Sequence, residues 1–467
     1  MRYESEMLRV AQRKALVVAA MVLATYGAEH EARACGGCFH PPPGEQPSVV
    51  TDHRMILSIS TKESTLWDQI KYSGSPSSFA WVLPISGTVR IGISADSLFQ
   101  SLDQLTTTTV TPPPMDCPPR PARSSGCGTS SVTSAQSAGG RFSEGGVDVT
   151  KRELVGPYET VQLKATDAKA LESWLARNGF VIPPDVQPVV DQYIAEKFDF
   201  LALRLAPGKG TQDMRPVRVT TTGTNVVLPL RMVAAGTGPV VGITLWILGE
   251  GRYEPQNFPS FRIADDELVW DWALNRSNYM ELRAQQTQAS NGRAWDVESS
   301  TKPNVTAFTN AFPRVGGPGY VPTPAANDYL RDDQTGRSAE EVRGDDLTAL
   351  GSGRAVENTR ITRLRADLAH AALAVDLVVT ASQDQSELPF VRRATKETSQ
   401  PMCPAYDADG VSAGSVPRDQ AKAYADRDES FSCTTSGGSR FPVWVGATFS
   451  VFALALVRSW RRRRSRG

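Results

Sequence analysis

The sequence predicts an α+β fold, made mainly of antiparallel β-sheet with a few helices, and one C-terminal transmembrane helix. Two observations predict the folded body. Short, strand-like apolar stretches recur along the chain, and apolar residues at helical spacing occur in a few places without regular alternation of strand and helix. A third observation predicts the membrane helix: residues 441–457 contain no charged side chain, and arginines follow them directly.

The first half of the body is predicted to form strands followed by a helix. Alternating or dense apolar runs predict strands at 49–60, 65–72 and 79–85. Apolar residues at helical spacing predict a helix over 96–105, with Ser94 or Asp96 as its N-cap. Residues 106–146 are rich in Thr, Pro, Ser and Gly, which indicates an exposed excursion.

The second half continues in the same manner. Strands are predicted at 158–165, 198–205, 217–222, 226–233, 240–248 and 373–380. Helices are predicted at 166–178, 185–197 and 277–289. Gly, Pro, Asp and Arg dominate much of 311–360, so this stretch is expected to be an irregular surface segment. An additional strand region over 361–395 and a polar linker over 396–440 complete the body.

The N-terminus has the pattern of a signal peptide over 1–34. Basic residues precede an apolar run over 15–28, and Ala32-Arg33-Ala34 forms a small-x-small cleavage site directly before Cys35. A lipoprotein with Cys35 as its first residue is the alternative. Lipid attachment favours a branched apolar residue three positions earlier, where this chain has Ala32.

The C-terminal sequence indicates a membrane partner and the orientation of the chain in that membrane. Residues 441–460 are about twenty in number, roughly the length of a helix that crosses ~30 Å of hydrocarbon, so the lipid bilayer is the predicted partner. Arginines mark the cytoplasmic side of this span: Arg458, Arg461, Arg462, Arg463 and Arg464. We therefore expect a basic cytoplasmic tail at 461–467 and a body outside the cytoplasmic membrane. The predicted location is the cell membrane or the cell surface.

The net charge of the chain limits the classes of partner that it could bind. The whole chain has 50 basic and 50 acidic residues, and the basic excess is at its two ends. The body between them is mildly acidic, which argues against a nucleic-acid partner.

Six cysteines suggest disulfides in an exported protein, because such compartments are oxidising. The candidates are Cys35, Cys38, Cys117 and Cys127, and a local Cys117–Cys127 bridge is plausible because both flank one Pro/Ser/Gly loop. Two other uses remain open. Cys35 and Cys38 could form a redox pair, or could bind zinc with His40 or with the other two thiolates. No other cofactor is predicted.

The sequence contains no complete catalytic motif. After signal removal only His40, His53 and His370 could act as an imidazole base. Asp265 and Asp271 lie close to Trp270 and Trp272, a combination that would suit a sugar site. The simpler interpretation is an acidic turn before a strand whose tryptophans pack in the core.

Several separated motifs carry a resemblance to a known family. They are Cys-Gly-Gly at 35–37, Phe-Ala-Trp-Val-Leu-Pro at 79–84, Val-Gly-Pro-Tyr-Glu at 155–159, Leu-Glu-Ser-Trp-Leu at 171–175 and Leu-Pro-Leu-Arg-Met-Val-Ala-Ala at 228–235. Together they resemble the bacterial domain-of-unknown-function family 2330 over residues 35–310, with an extension to 395 left open. The resemblance implies an exported protein without an assigned activity, and it supplies no catalytic residues.

The tail separately resembles the MYXO-CTERM sorting signal, which combines a cysteine motif, a transmembrane helix and an arginine cluster. This resemblance implies processing near Cys433. The competing interpretation is a Cys403–Cys433 disulfide.

Taken together, the sequence predicts an exported, membrane-anchored cell-envelope protein that acts as a non-enzymatic binding or structural module. Its partner would be an envelope protein or a glycan. The alternatives are an envelope hydrolase acting on glycan or peptide through carboxylates, and a cysteine-based redox or metal module.

Overall fold

The computed structural model describes residues 38–39, 52–70, 80–119, 153–164, 170–177, 179–182, 184, 186–234, 237–303, 329–332, 335–354, 358–407 and 411–422. The strands up to the middle of the chain are β1 Cys38–Phe39, β2 Asp52–Ile59, β3 Glu63–Ile70, β4 Ala80–Ile85, β5 Arg90–Ile93, β6 Thr109–Thr111, β7 Glu153–Val155, β8 Tyr158–Leu163, β9 Asp199–Leu205, β10 Val217–Thr222 and β11 Val227–Leu228. The later strands are β12 Val240–Glu250, β13 Tyr253–Pro255, β14 Ser260–Phe261, β15 Val269–Asp271, β16 Arg276–Ser277, β17 Trp295–Thr301, β18 Thr359–Ala369, β19 Leu377–Ala381, β20 Val391–Arg393, β21 Lys396–Glu397, β22 Met402–Tyr406 and β23 Ser412–Pro417.

The helices of the described residues are α1 Asp96–Thr106, α2 Ala170–Arg177, α3 Gln187–Ala195, α4 Leu230–Val233, α5 Tyr279–Ala289 and α6 Ala339–Gly351. Short 3-10 helices occupy Thr211–Asp213, Asp265–Glu267, His370–Ala374 and Arg418–Gln420.

An eight-stranded sheet forms the centre of the fold, in the order β14-β17-β18-β12-β2-β3-β10-β5. Its longest pairing is the antiparallel ladder of β12 with β18. The pairs β2–β12 and β14–β17 are parallel, and the other pairs of this sheet are antiparallel. The strands predicted at 49–60 and 65–72 correspond to β2 and β3, which are adjacent and antiparallel.

A five-stranded antiparallel sheet, in the order β1-β4-β9-β8-β7, packs on the β3–β10 half of the eight-stranded sheet. Successive side chains of a strand point to opposite faces of its sheet, so every second residue of these strands faces the other sheet. Trp81, Leu201 and Leu203 therefore meet Val217 and Val219 of the central sheet in one apolar cluster. The three-stranded sheet β11-β19-β13 lies over another part of the same face.

Helices cover the outer faces of both large sheets. On the five-stranded sheet, α2 and α3 bury apolar residues that include Trp174 and Tyr193. On the eight-stranded sheet, α1 and α6 pack against Trp67 and Trp246. The architecture is thus helix, sheet, sheet, helix, with large apolar clusters in the three interfaces between these layers. The prediction of mainly β structure with a few helices is confirmed.

Three sequence-based expectations are corrected by the elements observed. Residues 226–233 were expected to form a strand, but β11 ends at Leu228 and α4 begins at Leu230. Within the expected irregular segment 311–360 the chain forms α6, which Ser338 begins through a capping box with Glu341. Part of the expected polar linker 396–440 forms β21, β22 and β23. The cap of α1 also differs, because its N-cap is Ala95, without a side-chain hydrogen bond.

A disulfide joins the start of β22 to the segment that follows β6. It links Cys117 to Cys403 across 286 residues of sequence, with a Cα–Cα distance of 5.4 Å. The expected local bridge between Cys117 and Cys127 is therefore wrong, and so is the alternative bridge between Cys403 and Cys433. Cys403 is fully buried, which a polar linker would not provide.

Candidate functional site

A groove with a volume of about 700 Å³ lies at one edge of the eight-stranded sheet. Strand β5 is the last strand of that sheet and pairs only with β10. The amide of Ser94 donates to the carbonyl of Pro216, so these two residues form a hydrogen-bonded pair of the antiparallel ladder. Hydrogen-bonded and non-hydrogen-bonded pairs alternate along such a ladder. The pair of Ile91 with Val219 is therefore of the second kind, and the backbone N–H and C=O of Ile91 point away from β10. Strand β7 and helix α6 form the other walls.

Arginines and carboxylates line this groove as fixed ion pairs. Arg90 Nη2 lies 2.5 Å from Glu63 Oε2. Arg337 holds Asp345 with both guanidinium nitrogens, at 2.5 and 2.8 Å. Arg218 Nη2 reaches the same carboxylate at 3.3 Å. These groups therefore present alternating charge in defined positions.

A fully buried carboxylate, Asp346, anchors the floor of the groove. Its Oδ1 accepts from Trp67 Nε1 at 2.9 Å and from Arg218 Nη1 at 2.6 Å. Its Oδ2 accepts from Tyr329 Oη at 2.9 Å and from Ser94 Oγ. Burial, and next the negative charge of Asp346, raise the pKa of Tyr329 well above its usual value. Asp346 therefore fixes α6 to the central sheet through Trp67 and Arg218.

Strand β5 accommodates this arrangement through a glycine. A Cβ added at Gly92 would lie 2.7 Å from Arg218 Nη2. The guanidinium group thus lies so close to β5 that a side chain at position 92 would require it to shift.

Most of the charged side chains in this groove are arranged as ion pairs. Its described lining contains no histidine or cysteine, and its arginines are held by carboxylates. A general base needs a free lone pair within hydrogen-bond reach of a substrate. In this groove the polar groups can form further hydrogen bonds with a ligand, but they are already oriented by one another.

A second acidic cluster lies on β17, away from this groove. Burial, and next the charge of Glu298, raise the pKa of Asp296 to about 7, although Tyr279 Oη donates to Asp296 Oδ2 at 2.8 Å. Glu298 is bound by Arg363, which also reaches Asp103 at 2.5 Å. A pKa near 7 is typical of catalytic acids, but Asp296 is only 1% exposed, so a substrate in solution does not reach it.

The carboxylates singled out for a sugar site have structural partners. Asp265 is bound by Arg392, whose Nε lies 2.6 Å from Asp265 Oδ1. Asp271 Oδ1 accepts the amides of Ala273 and Leu274 at 2.8 and 3.1 Å, which closes a turn.

The tryptophans beside them also have structural roles. Trp270 is buried in an apolar cluster, and Trp272 Nε1 donates to Glu397 Oε2 at 2.8 Å. A 3-10 helix at Asp265–Glu267 leads into β15, so the interpretation as an acidic turn before a core strand is confirmed for Trp270, whereas Trp272 follows the strand and is only partly buried.

The other predicted site residues are placed only in part. Of the cysteines, Cys117 is in the disulfide described above, and Cys38 is described only by the backbone of β1. Several lie outside the described residues: Cys35, His40, Cys127, Cys433, Arg458, Arg461, Arg462, Arg463 and Arg464. Within the described ranges no three His, Cys, Asp or Glu side chains form a group that could hold a metal ion.

The two other histidines do not join the groove. His370 Nε2 lies 3.3 Å from the carbonyl oxygen of Ala234, and His53 is buried beside Asp68. Over the part of the chain that the structure describes, no helix has both the length and the apolar character needed to cross a membrane. The predicted span at 441–460 lies outside that part.

Sequence reasoning missed the residues that form the groove. Asp345 and Asp346 stand in a stretch whose composition indicated a loop, and nothing local distinguishes the partly exposed carboxylate of Asp345 from the buried one of Asp346. One signal was present for Arg218, because it alternates with Val217 and Val219 and so had to face the opposite side of a buried strand.

Comparison with known proteins gives one match. The sequence model of a bacterial family, described as "Uncharacterized protein conserved in bacteria (DUF2330)", matches residues 31–333. The match contains β1–β17 and their intervening helices, and it ends just before α6. No curated protein and no solved structure matches this chain. Because the family model covers well over half of the sequence, the chain belongs to the DUF2330 family.

Proposed function

We propose that this chain is an exported bacterial cell-envelope protein, anchored in the cytoplasmic membrane through 441–460, whose body is a non-enzymatic binding module. The location rests on the signal-peptide pattern over 1–34 and on the arginines that follow the apolar span. The binding role rests chiefly on the groove between β5, β7 and α6, where charged groups have fixed positions beside an open sheet edge.

The partner that this geometry favours is an extended segment of another envelope polypeptide. Ile91 presents backbone hydrogen-bonding groups at the edge, and an added strand would satisfy them. Side chains of that segment would meet the alternating charges of Arg90, Asp345 and Arg337. Exposed Leu154 on β7 adds apolar surface to the same groove.

Site-specific photo-crosslinking in cells tests the binding role. A benzoylphenylalanine at Leu154 should form an adduct with a partner polypeptide. The same group at Val181, which is exposed and outside the groove, should not. Substituting Ile91→Pro in the Leu154 variant should abolish the adduct, because proline removes the edge N–H. Equal adducts at both positions, or an adduct that survives Ile91→Pro, would contradict the proposal.

Protease accessibility tests the topology separately. Protease added to intact spheroplasts should digest the body, whereas full protection would reverse the proposed orientation. Intact mass spectrometry of the protein released from cells tests processing. A species ending near Cys433 supports the sorting signal, and a full-length chain contradicts it.

The rival functions have their own observable outcomes. If the chain is an envelope hydrolase, the purified protein should release products from peptidoglycan or envelope peptides, and Asp265→Asn or Asp271→Asn should abolish that release. If it is a redox or metal module, titration of the folded protein should find free or metal-bound thiols at Cys35 and Cys38. Either result would contradict the proposal that the body is a non-enzymatic binding module.

A further inference from the structure

A crevice between the two large sheets has features of a small-molecule site. It has two chambers: we call the larger one, of about 90 Å³, the outer chamber and the smaller one, of about 20 Å³, the inner chamber. The two chambers adjoin, because Leu66, Leu83 and Pro229 line both of them.

The chambers differ in their lining. Apolar side chains such as Leu57, Phe198 and Val227 form much of the wall of the outer chamber, and its polar lining includes Asn225 and Asp376, whose carboxylate pairs with Arg231. The inner chamber is bounded by Met55, Trp81 and Met232 among other apolar residues, and Asp68 is its one charged lining residue within the described part of the chain. A ligand that spans both chambers would therefore contact mainly apolar side chains and would reach the carboxylate of Asp68 in the inner chamber.

Asp68 is a buried polar group without its full set of partners. Its Oδ1 lies 3.6 Å from Nδ1 of His53, beyond hydrogen-bond distance, and the side chains of both residues are at least 95% buried. Among the described residues, Asp68 Oδ1 and both ring nitrogens of His53 have no hydrogen-bond partner. Buried polar atoms are rarely left in this state, because each unmade bond costs about 1–3 kcal/mol.

We propose that the crevice binds a small molecule with a short aliphatic body and a hydroxyl or ammonium group at its leading end, which donates a hydrogen bond to Asp68. A dry cavity of about 150 Å³ accommodates benzene, so 90 Å³ suits a body on the order of four carbon atoms. The donor group would enter the inner chamber beyond Leu66 and Leu83 and satisfy Asp68 Oδ1. This site is separate from the groove at β5, and it does not depend on the proposed export or on the polypeptide partner.

The competing occupant is a single water molecule. The inner chamber is large enough for one water, and Asp68 and His53 supply the polar atoms that a buried water requires. The two occupants differ in one respect: the ligand fills both chambers, whereas the water leaves the outer chamber unchanged.

Methyl NMR of the full-length chain in lipid nanodiscs distinguishes them, with the methionine methyl groups labelled with ¹³C. Met55 and Met232 line the inner chamber, and their signals can be assigned through Met55→Leu and Met232→Leu. The probes are 1-butanol, n-butylammonium and 1-methoxypropane, which matches butanol in size but lacks a donor. We expect saturable shifts of both methyl signals with butanol or butylammonium, and at least tenfold weaker binding of the ether.

Three variants complete the test. Asp68→Leu should weaken binding of the donor probes at least tenfold and leave the ether unchanged. Glu63→Gln, which removes a carboxylate from the same strand outside the crevice, should change neither. Val227→Phe, which fills the outer chamber, should weaken all three probes. The proposal is overturned if neither methyl signal shifts, if the ether binds as well as butanol, or if the donor probes bind Asp68→Leu or Val227→Phe as tightly as the native chain.

Discussion

Replacing Asp346 should remove the largest single polar anchor between α6 and the central sheet. The carboxylate is fully buried and accepts from Trp67, Ser94, Arg218 and Tyr329. Its substitution by alanine leaves a guanidinium group and three neutral donors without this acceptor. Since α6 packs on Trp67 through Ala349 and Leu350, the apolar contacts of the helix depend on the same docking.

The expected magnitude follows from these contacts. Removing one partner of a buried ion pair costs about 3–5 kcal/mol, because the other charge remains in a poorly solvated position. Arg218 keeps a weaker contact with Asp345, at 3.3 Å, which limits the loss on its side. We therefore expect Asp346→Ala to lower the free energy of unfolding by about 3–5 kcal/mol, and the isosteric Asp346→Asn by roughly half of that.

Urea unfolding of both variants measures these changes, with Asp345→Asn as the matched control. Asp345 carries the same charge one residue earlier but is partly exposed, so its ion pairs should contribute no more than about 1 kcal/mol. A double-mutant cycle with Tyr329→Phe should show that this substitution costs about 1 kcal/mol in the native background and close to nothing in Asp346→Ala. Equal effects at 345 and 346, or an additive cycle, would refute the assignment of Asp346 as the anchor.

Three further predictions concern other parts of the molecule. Asp296 has a pKa of about 7 in the folded chain against 3.8 ordinarily, so the folded chain holds this proton more tightly than the unfolded chain does. The resulting contribution to the free energy of unfolding is fully present below pH ~4 and is lost as the pH rises through 7. Asp296→Asn should therefore remove about 2–3 kcal/mol of the stability difference between pH 5 and pH 8 in urea titrations, and an unchanged pH profile would contradict this. Trp81→Ala should cost about 3–5 kcal/mol by thermal or chemical unfolding, whereas Val240→Ala at an exposed strand end should cost almost nothing; equal melting of both variants would place Trp81 at the surface. Peptide mapping without reductant should recover Cys117 linked to Cys403, and Cys403→Ser should cost about 2–4 kcal/mol; a peptide linking Cys117 to Cys127 would disprove the pairing.

Local pattern was enough to predict most of the sheet structure. The strand predicted at 217–222 coincides with β10, and the helices predicted near 170 and 190 bury the apolar faces that the spacing indicated. These elements pack through one alternating or periodic face, so the signal lies within a few residues. The pairing of β2 with β12 could not be derived in this way, since it depends on contacts between residues nearly two hundred positions apart.

Composition failed where charged residues are buried. The segment 331–354 contains several Asp, Glu and Arg, and composition rules assign such stretches to the surface. In the fold Asp346 is fully buried, and Arg343 is largely buried in contact with Glu340. Those rules assume that a charge stays in water, and they cannot recognise a partner that belongs to a distant strand. The same reasoning explains why Cys403 was assigned to a linker, because its partner Cys117 is 286 residues away.

Arg218 connects the stability of the fold to the charge pattern of the groove. One of its guanidinium nitrogens holds buried Asp346 and the other holds Asp345 on the groove wall. When Asp345 is replaced, Arg218 is still held by Asp346, so the fold persists while the groove loses a negative charge. Loss of Asp346 leaves only the longer contact, so the guanidinium group can move into the groove as the helix loosens. Substitutions at 345 therefore report on recognition in the groove, whereas substitutions at 346 alter recognition and folding together.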